Sequence, residues 1–133
     1  MTDEYSIPSA QAWFEKAARD IRSADVLLQA DPPETESAAF HGQQAVEKYL
    51  KGVLAFYTVS PPRIHDIGAL MDQVHQYSEN FEPLREAGSH LSVFAVEVRY
   101  PYPESPPSAE EAAEALETAK EFQKKAEQVI QGY

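Results

Sequence analysis

Through most of this chain apolar residues return every three to four positions, the spacing of helices buried along one side. Phe14, Ala17, Ala18, Ile21, Ala24 and Leu28 trace one such face, with Lys16, Arg19 and Arg22 opposite it. They predict a first helix from Pro8 or Ser9 to about Ala30. Asp31-Pro32-Pro33 ends it, because proline disfavours helical backbone in the residue before it. A second helix is predicted over residues 36–57. Ala38, Gly42, Ala45, Tyr49, Val53 and Phe56 form its stripe, and Ala39, Val46, Leu50 and Tyr57 widen the stripe to nearly half the circumference. A helix this broadly apolar belongs at the centre of a bundle. Gly42 and Gly52 each cost about 1 kcal/mol relative to alanine in a helix interior, a cost that close approach of neighbouring helices would explain.

Ser60-Pro61-Pro62 reads as a stiff loop, after which Asp66 is a suitable N-cap for a third helix over residues 67–77, with Leu70 and Val74 inward. The pattern breaks over residues 78–83. Residues 84–98 are two-sided: Val93, Phe94, Val96 and Val98 favour a strand by propensity, whereas Leu91, Phe94, Ala95 and Val98 fit a helical face. No other segment offers a partner strand, and a lone strand leaves its backbone groups unpaired, so a helix is expected. Val93 and Val96 then lie on its other side, which implies deep burial or a contact with a second copy. Four prolines exclude regular helix from residues 100–107. Ser108 and Glu111 form a capping box for the last helix, which runs to Gln131 with Ala112, Leu116, Ala119, Phe122, Ala126 and Ile130 inward. Glu110, Glu111 and Glu114 complement the positive end of its dipole. The expected architecture is all-α: a single domain over residues 1–133, an up-and-down bundle of four long helices plus a short inserted helix.

Composition narrows the function classes. A formal net charge of −11 disfavours non-specific nucleic-acid binding, which depends on lysine and arginine neutralising phosphates; no DNA partner is expected, although a local basic patch remains open. The chain contains no cysteine, which excludes disulfides and thiolate metal sites. No apolar run approaches the roughly 18–20 residues needed to span a bilayer, and no signal peptide is visible. The expectation is a cytoplasmic protein without a membrane partner.

Candidate chemistry falls in three places. His41, Gln44, Lys48 and Lys51 stack on the second helix opposite its apolar stripe; they read either as a polar patch for a nucleotide, phosphate or RNA, or as a solvated face. His65 beside Asp66 reads either as an oriented base or metal ligand, or as a loop residue next to a helix cap. The histidines His41, His65, His75 and His90 show no metal-ligand spacing, so no metal is expected, nor any cofactor. Arg99-Tyr100-Pro101 is sharper. An arginine stiffened by proline and flanked by Tyr100 and Tyr102 can clamp a phosphate or carboxylate with its planar fork, with a base stacked on a tyrosine. Alternatively Arg99 caps helix carbonyls or pairs with a buried acid such as Asp25. The candidate ligand-binding residues are therefore Arg99, Tyr100, Tyr102, His41, Lys48 and His65, with no catalytic residue assigned.

The string Phe40-His41-Gly42-Gln43-Gln44-Ala45-Val46-Glu47-Lys48-Tyr49-Leu50-Lys51, followed by His65-Asp66, Arg99-Tyr100-Pro101 and an alanine- and glutamate-rich last helix, resembles the HEPN family of small helical prokaryotic proteins. The resemblance implies a helical bundle, often a homodimer, with a minimal nucleotidyltransferase as frequent partner. It also implies either RNA cleavage as a toxin or ligand binding as an inactive relative. HEPN ribonucleases carry an arginine followed four to six residues later by a histidine. Arg99 stands in the place of that arginine, yet no histidine follows within residues 100–107. Arg85 and His90 have the spacing but lie before the segment that ends at Arg99. The expected function is a non-catalytic nucleotide- or RNA-binding HEPN subunit of a nucleotidyltransferase-associated, toxin–antitoxin-like system. The alternative is a ribonuclease toxin using Arg99 with a distant base, His41 or His65.

Overall fold

The computed structural model describes residues 6–95 and 106–132. Three long helices dominate: α1 (Ser6–Gln29), α2 (Thr35–Phe56) and α5 (Ala109–Gln131), with the short helices α3 (Ile67–His75) and α4 (Arg85–His90) between them. No strand occurs among the described residues. The all-helical architecture expected from the hydrophobic spacing is therefore present.

α2 is the central element, packed along α1 and α5 and touched by α3. Leu27 meets Glu34, Asp20 meets His41, and Phe14 lies against Gly52, so the order runs oppositely along the two helices and α1 and α2 are antiparallel. Gly42 faces Ala115 and Tyr49 bonds to Gln123, so α5 runs parallel to α2. The two glycines inside α2 sit where its neighbours come closest. A Cβ on Gly42 would stand 3.2 Å from the Ala115 carbonyl oxygen, and one on Gly52 would stand 2.5 Å from the Phe14 ring. Close approach accounts for both, as the sequence suggested.

Local chemistry sets the helix ends. Asp66 accepts from the Ala69 amide at 3.2 Å and starts α3. Ser108 and Glu111 exchange two bonds of 3.0 Å at the start of α5, satisfying two of the amide donors that every helix leaves orphaned. The core gathers Leu50, Val53, Leu54 and Phe56 of α2, Leu70 and Met71 of α3, and Phe122 of α5, whose ring stacks on Phe81 at 5.8 Å.

The segment expected to be one helix over residues 84–98 is broken. A 3-10 turn, Glu82–Leu84, leads into α4, and a second 3-10 turn, Leu91–Phe94, follows it. Pro83 supplies no amide for a longer helix. A Cβ on Gly88 would stand 2.7 Å from the Phe122 ring, so α4 packs closely against α5, and the winding changes after His90. Leu91 is buried and Phe94 packs on the core, while Val93 is 55% exposed on the other side. The helix expected over Val96 and Val98 lies outside the described residues.

Candidate functional site

Although α2 has polar side chains on the face opposite its stripe, that face is not solvated. Asp20 of α1 reaches it. Asp20 is 8% exposed and occupies the same turn-to-turn row as Ala17 and Ala24, which pack into the core. Its Oδ1 meets His41 Nδ1 at 2.8 Å, and its Oδ2 accepts from Lys48 Nζ at 2.6 Å. His41 and Lys48 therefore come together, as the sequence placed them, but through a carboxylate from a different helix.

One turn further along, Glu47 forms a second cluster and is only 4% exposed. Its Oε2 accepts from Lys51 Nζ at 3.1 Å, and its Oε1 meets His65 Nδ1 at 2.8 Å and Gln43 Nε2 at 3.3 Å. Gln43, fully buried, also donates to the His65 carbonyl at 3.3 Å and accepts from Gln44 at 2.8 Å. Lys51 lies 5.9 Å from the Trp13 ring centroid, a cation–π contact that adds to the pairing. His65 is thus fastened to α2 by both its ring and its backbone while its side chain stays exposed. This is why the proline loop returns to α2 before α3 begins. A buried lysine and a buried glutamate tolerate desolvation because each has the other, together with the Gln43 amide and the His65 ring at the remaining carboxylate positions.

Arg99, Tyr100 and Tyr102 lie outside the described residues; of the other three candidates, His41 and Lys48 share Asp20, and His65 belongs to the neighbouring Glu47 cluster. Asp25, named as a buried acid that could receive Arg99, is exposed; the buried acid of α1 is Asp20. Its signal was present in the sequence as an aspartate in the row of Ala17 and Ala24. Glu47 was legible as the partner of Lys51 and Gln43 at helical spacing.

Arg85 and His90 do not form a pair. Arg85 donates to Glu82 at 2.7 and 3.0 Å and to Asp72 at 2.8 Å, tying α4 to α3. The bond from Arg85 holds the Glu82 carboxyl below its ordinary range. His90 instead lines an open groove with Glu86, Glu111, Glu114 and Phe94. Among the described residues no group of three or more histidines, aspartates or glutamates is placed to hold a metal ion, and no helix is long and apolar enough to cross a membrane.

A three-helix framework with short helices between its second and third long members, closed by buried carboxylates on α1 and α2, defines a small helical domain with a polar seam. The sequence matches the HEPN domain family over residues 10–129, and the chain belongs to that family. Among solved structures it is similar to TT1696 from Thermus thermophilus, with 29% identity, a TM-score of 0.75, and coverage of 90% of this chain and 96% of that one. No curated protein matches it.

Proposed function

We propose that this chain is a non-catalytic nucleotide- or RNA-binding HEPN subunit that acts with a nucleotidyltransferase partner in a toxin–antitoxin-like system, as a cytoplasmic homodimer. The observation that carries the reading is in the sequence: no histidine follows Arg99 within residues 100–107, so the acid–base group of the family's ribonucleases has no counterpart there. The fastening of His65 to Glu47 supports it, because a ring bonded to a buried ion pair serves the fold before it serves a substrate.

One observation favours the ribonuclease reading. His41 is oriented by Asp20 in the manner of a general base held by a carboxylate. Incubation of the full chain with labelled RNA separates the two. The proposal expects nucleotide or RNA binding without cleavage. Cleavage that disappears in both Arg99→Ala and His41→Ala would establish the ribonuclease instead.

A further inference from the structure

We propose that a shallow groove on the α1–α2 face is the phosphate-binding site of this protein, with a nucleotide phosphate, free or within a strand, as its ligand. The inference rests on the nucleotide- or RNA-binding reading and assigns that binding to residues other than Arg99, Tyr100 and Tyr102. The groove measures about 580 Å³ and is lined by Arg19, Arg22, Ser23, Val26, Leu27 and His41. The five α1 residues follow helical spacing, so one stripe of α1 forms one wall and His41 of α2 the other.

Charge is what distinguishes this place. In a chain of net charge −11, most phosphate encounters are repelled, yet here two arginines and a histidine converge. Several other cations are already spent, Lys51 on Glu47 and Arg85 on Glu82 and Asp72. Arg22 is exposed and carries no ion pair among the described residues. Arg19 has only a 3.3 Å pair with Glu15, both side chains being about two-thirds exposed, and such a pair exchanges readily for a better anion.

Two acids bond to groove residues: Glu15, paired with Arg19 at 3.3 Å, and Asp20, whose charge is already met. Lys48 neutralises it from behind at 2.6 Å while its other oxygen fixes the His41 ring through Nδ1. The remaining ring nitrogen, Nε2, is the polar atom His41 can offer a ligand, donating to a phosphate oxygen when the ring is protonated. The arginines supply planar forks that match phosphate geometry. Val26, 69% exposed, and Leu27 give the non-polar part of a nucleotide a surface to lie on.

Calorimetric titration of the full chain with AMP, inorganic phosphate and a short oligouridylate tests the site. The wild type is expected to bind, and each of Arg19→Ala and Arg22→Ala to weaken binding by about tenfold, the worth of a charge-assisted bond. Arg22→Lys falls between, and Lys16→Ala, on exposed α1 surface, changes nothing. AMP binding as tight as the oligomer's identifies a mononucleotide site. Oligomer binding alone, with a salt slope that falls by about 0.7 for each phosphate contact removed, identifies a strand. Wild-type affinity retained by the Arg19→Ala/Arg22→Ala double variant overturns the groove; if Arg99→Ala abolishes binding in the same series, the nucleotide-binding reading survives with its site at Arg99. No binding of any probe by the wild type overturns both.

Discussion

Removing Glu47 strands a lysine. Lys51 is 6% exposed, and its ammonium is paired with Glu47 Oε2 at 3.1 Å, with the Trp13 ring 5.9 Å away. Glu47→Ala leaves that charge buried with only an aromatic face for company, and the Gln43 amide and the His65 ring lose their acceptor with it. Breaking one side of a buried pair costs about 3–5 kcal/mol, a large part of the 5–15 kcal/mol that a small domain has in total. With a urea slope of about 2 kcal/mol/M, a loss of about 4 kcal/mol lowers the midpoint by about 2 M. The double variant Glu47→Leu/Lys51→Met replaces both charges by apolar groups of similar length, and is expected to recover most of that loss, because the desolvation cost of two charges disappears with the pair. Urea unfolding followed by far-ultraviolet circular dichroism of Glu47→Leu, Lys51→Met and the double variant gives the full cycle. A cost below about 1 kcal/mol for Glu47→Ala would mean that water reaches Lys51 and that the pair behaves as a surface contact. A double variant as unstable as the sum of the two singles would show no coupling, and would refute the pairing itself.

Gly52→Ala gains about 1 kcal/mol of helix propensity, but the new Cβ would sit 2.5 Å from the Phe14 ring and 3.0 Å from Trp13 Cβ. Overpacking of that kind costs about 1–3 kcal/mol, so the melting temperature should fall in scanning calorimetry; a rise would mean the rings yield freely. Burial raises the Tyr49 phenol above its ordinary value, so the fold favours the neutral form. Its contribution is complete below about pH 10 and is lost as pH rises beyond, by about 1.4 kcal/mol per unit. Tyr49→Phe should therefore flatten the alkaline fall in stability measured by urea titration between pH 9 and 11, and equal slopes in both proteins would disprove the assignment. Ser108→Ala opens the capping box and should cost about 1 kcal/mol, read as a lower urea midpoint with an unchanged slope.

What the sequence disclosed and what it concealed follow from the range of the forces involved. Helix α5 was legible end to end because Ser108, Glu111 and the alanine–leucine–phenylalanine periodicity all act within one element. Asp66 was legible as a cap for the same reason. The change from α4 to a 3-10 turn after His90 was not, because the spacing of Leu91, Phe94 and Ala95 fits one continuous helix equally well. The polar row of α2 was read as either a ligand patch or a solvated face, since a helical wheel shows which residues share a side but not what stands opposite. What stands opposite Lys48 is Asp20, and what returns to Glu47 is the loop at His65. Both are tertiary facts, and each alters the chemistry: a lysine already satisfied by a buried aspartate is a poor ligand for phosphate, whereas the arginines on the outer side of α1, which looked like ordinary solvated charge, keep their donors.

The string that carried the family resemblance acquires a physical meaning from this arrangement. A central helix enclosed by α1, α5 and the α3 region has almost no solvent face, so every polar residue it bears must find a partner inside the bundle. Gln43, Gln44, Glu47, Lys48 and Lys51 do so, with one another, with Asp20 and with the His65 loop. Replacing any of them requires a matching change in its partner, on α2 itself or on another element. Such residues are held in place by the architecture of the fold, whether or not a particular chain cleaves RNA. Membership of the HEPN family, when it is read from that helix, therefore speaks first to how the bundle closes. Chemistry has to be sought outside that network, at Arg19 and Arg22 beside His41 and in the Arg99-Tyr100-Pro101 string of the sequence.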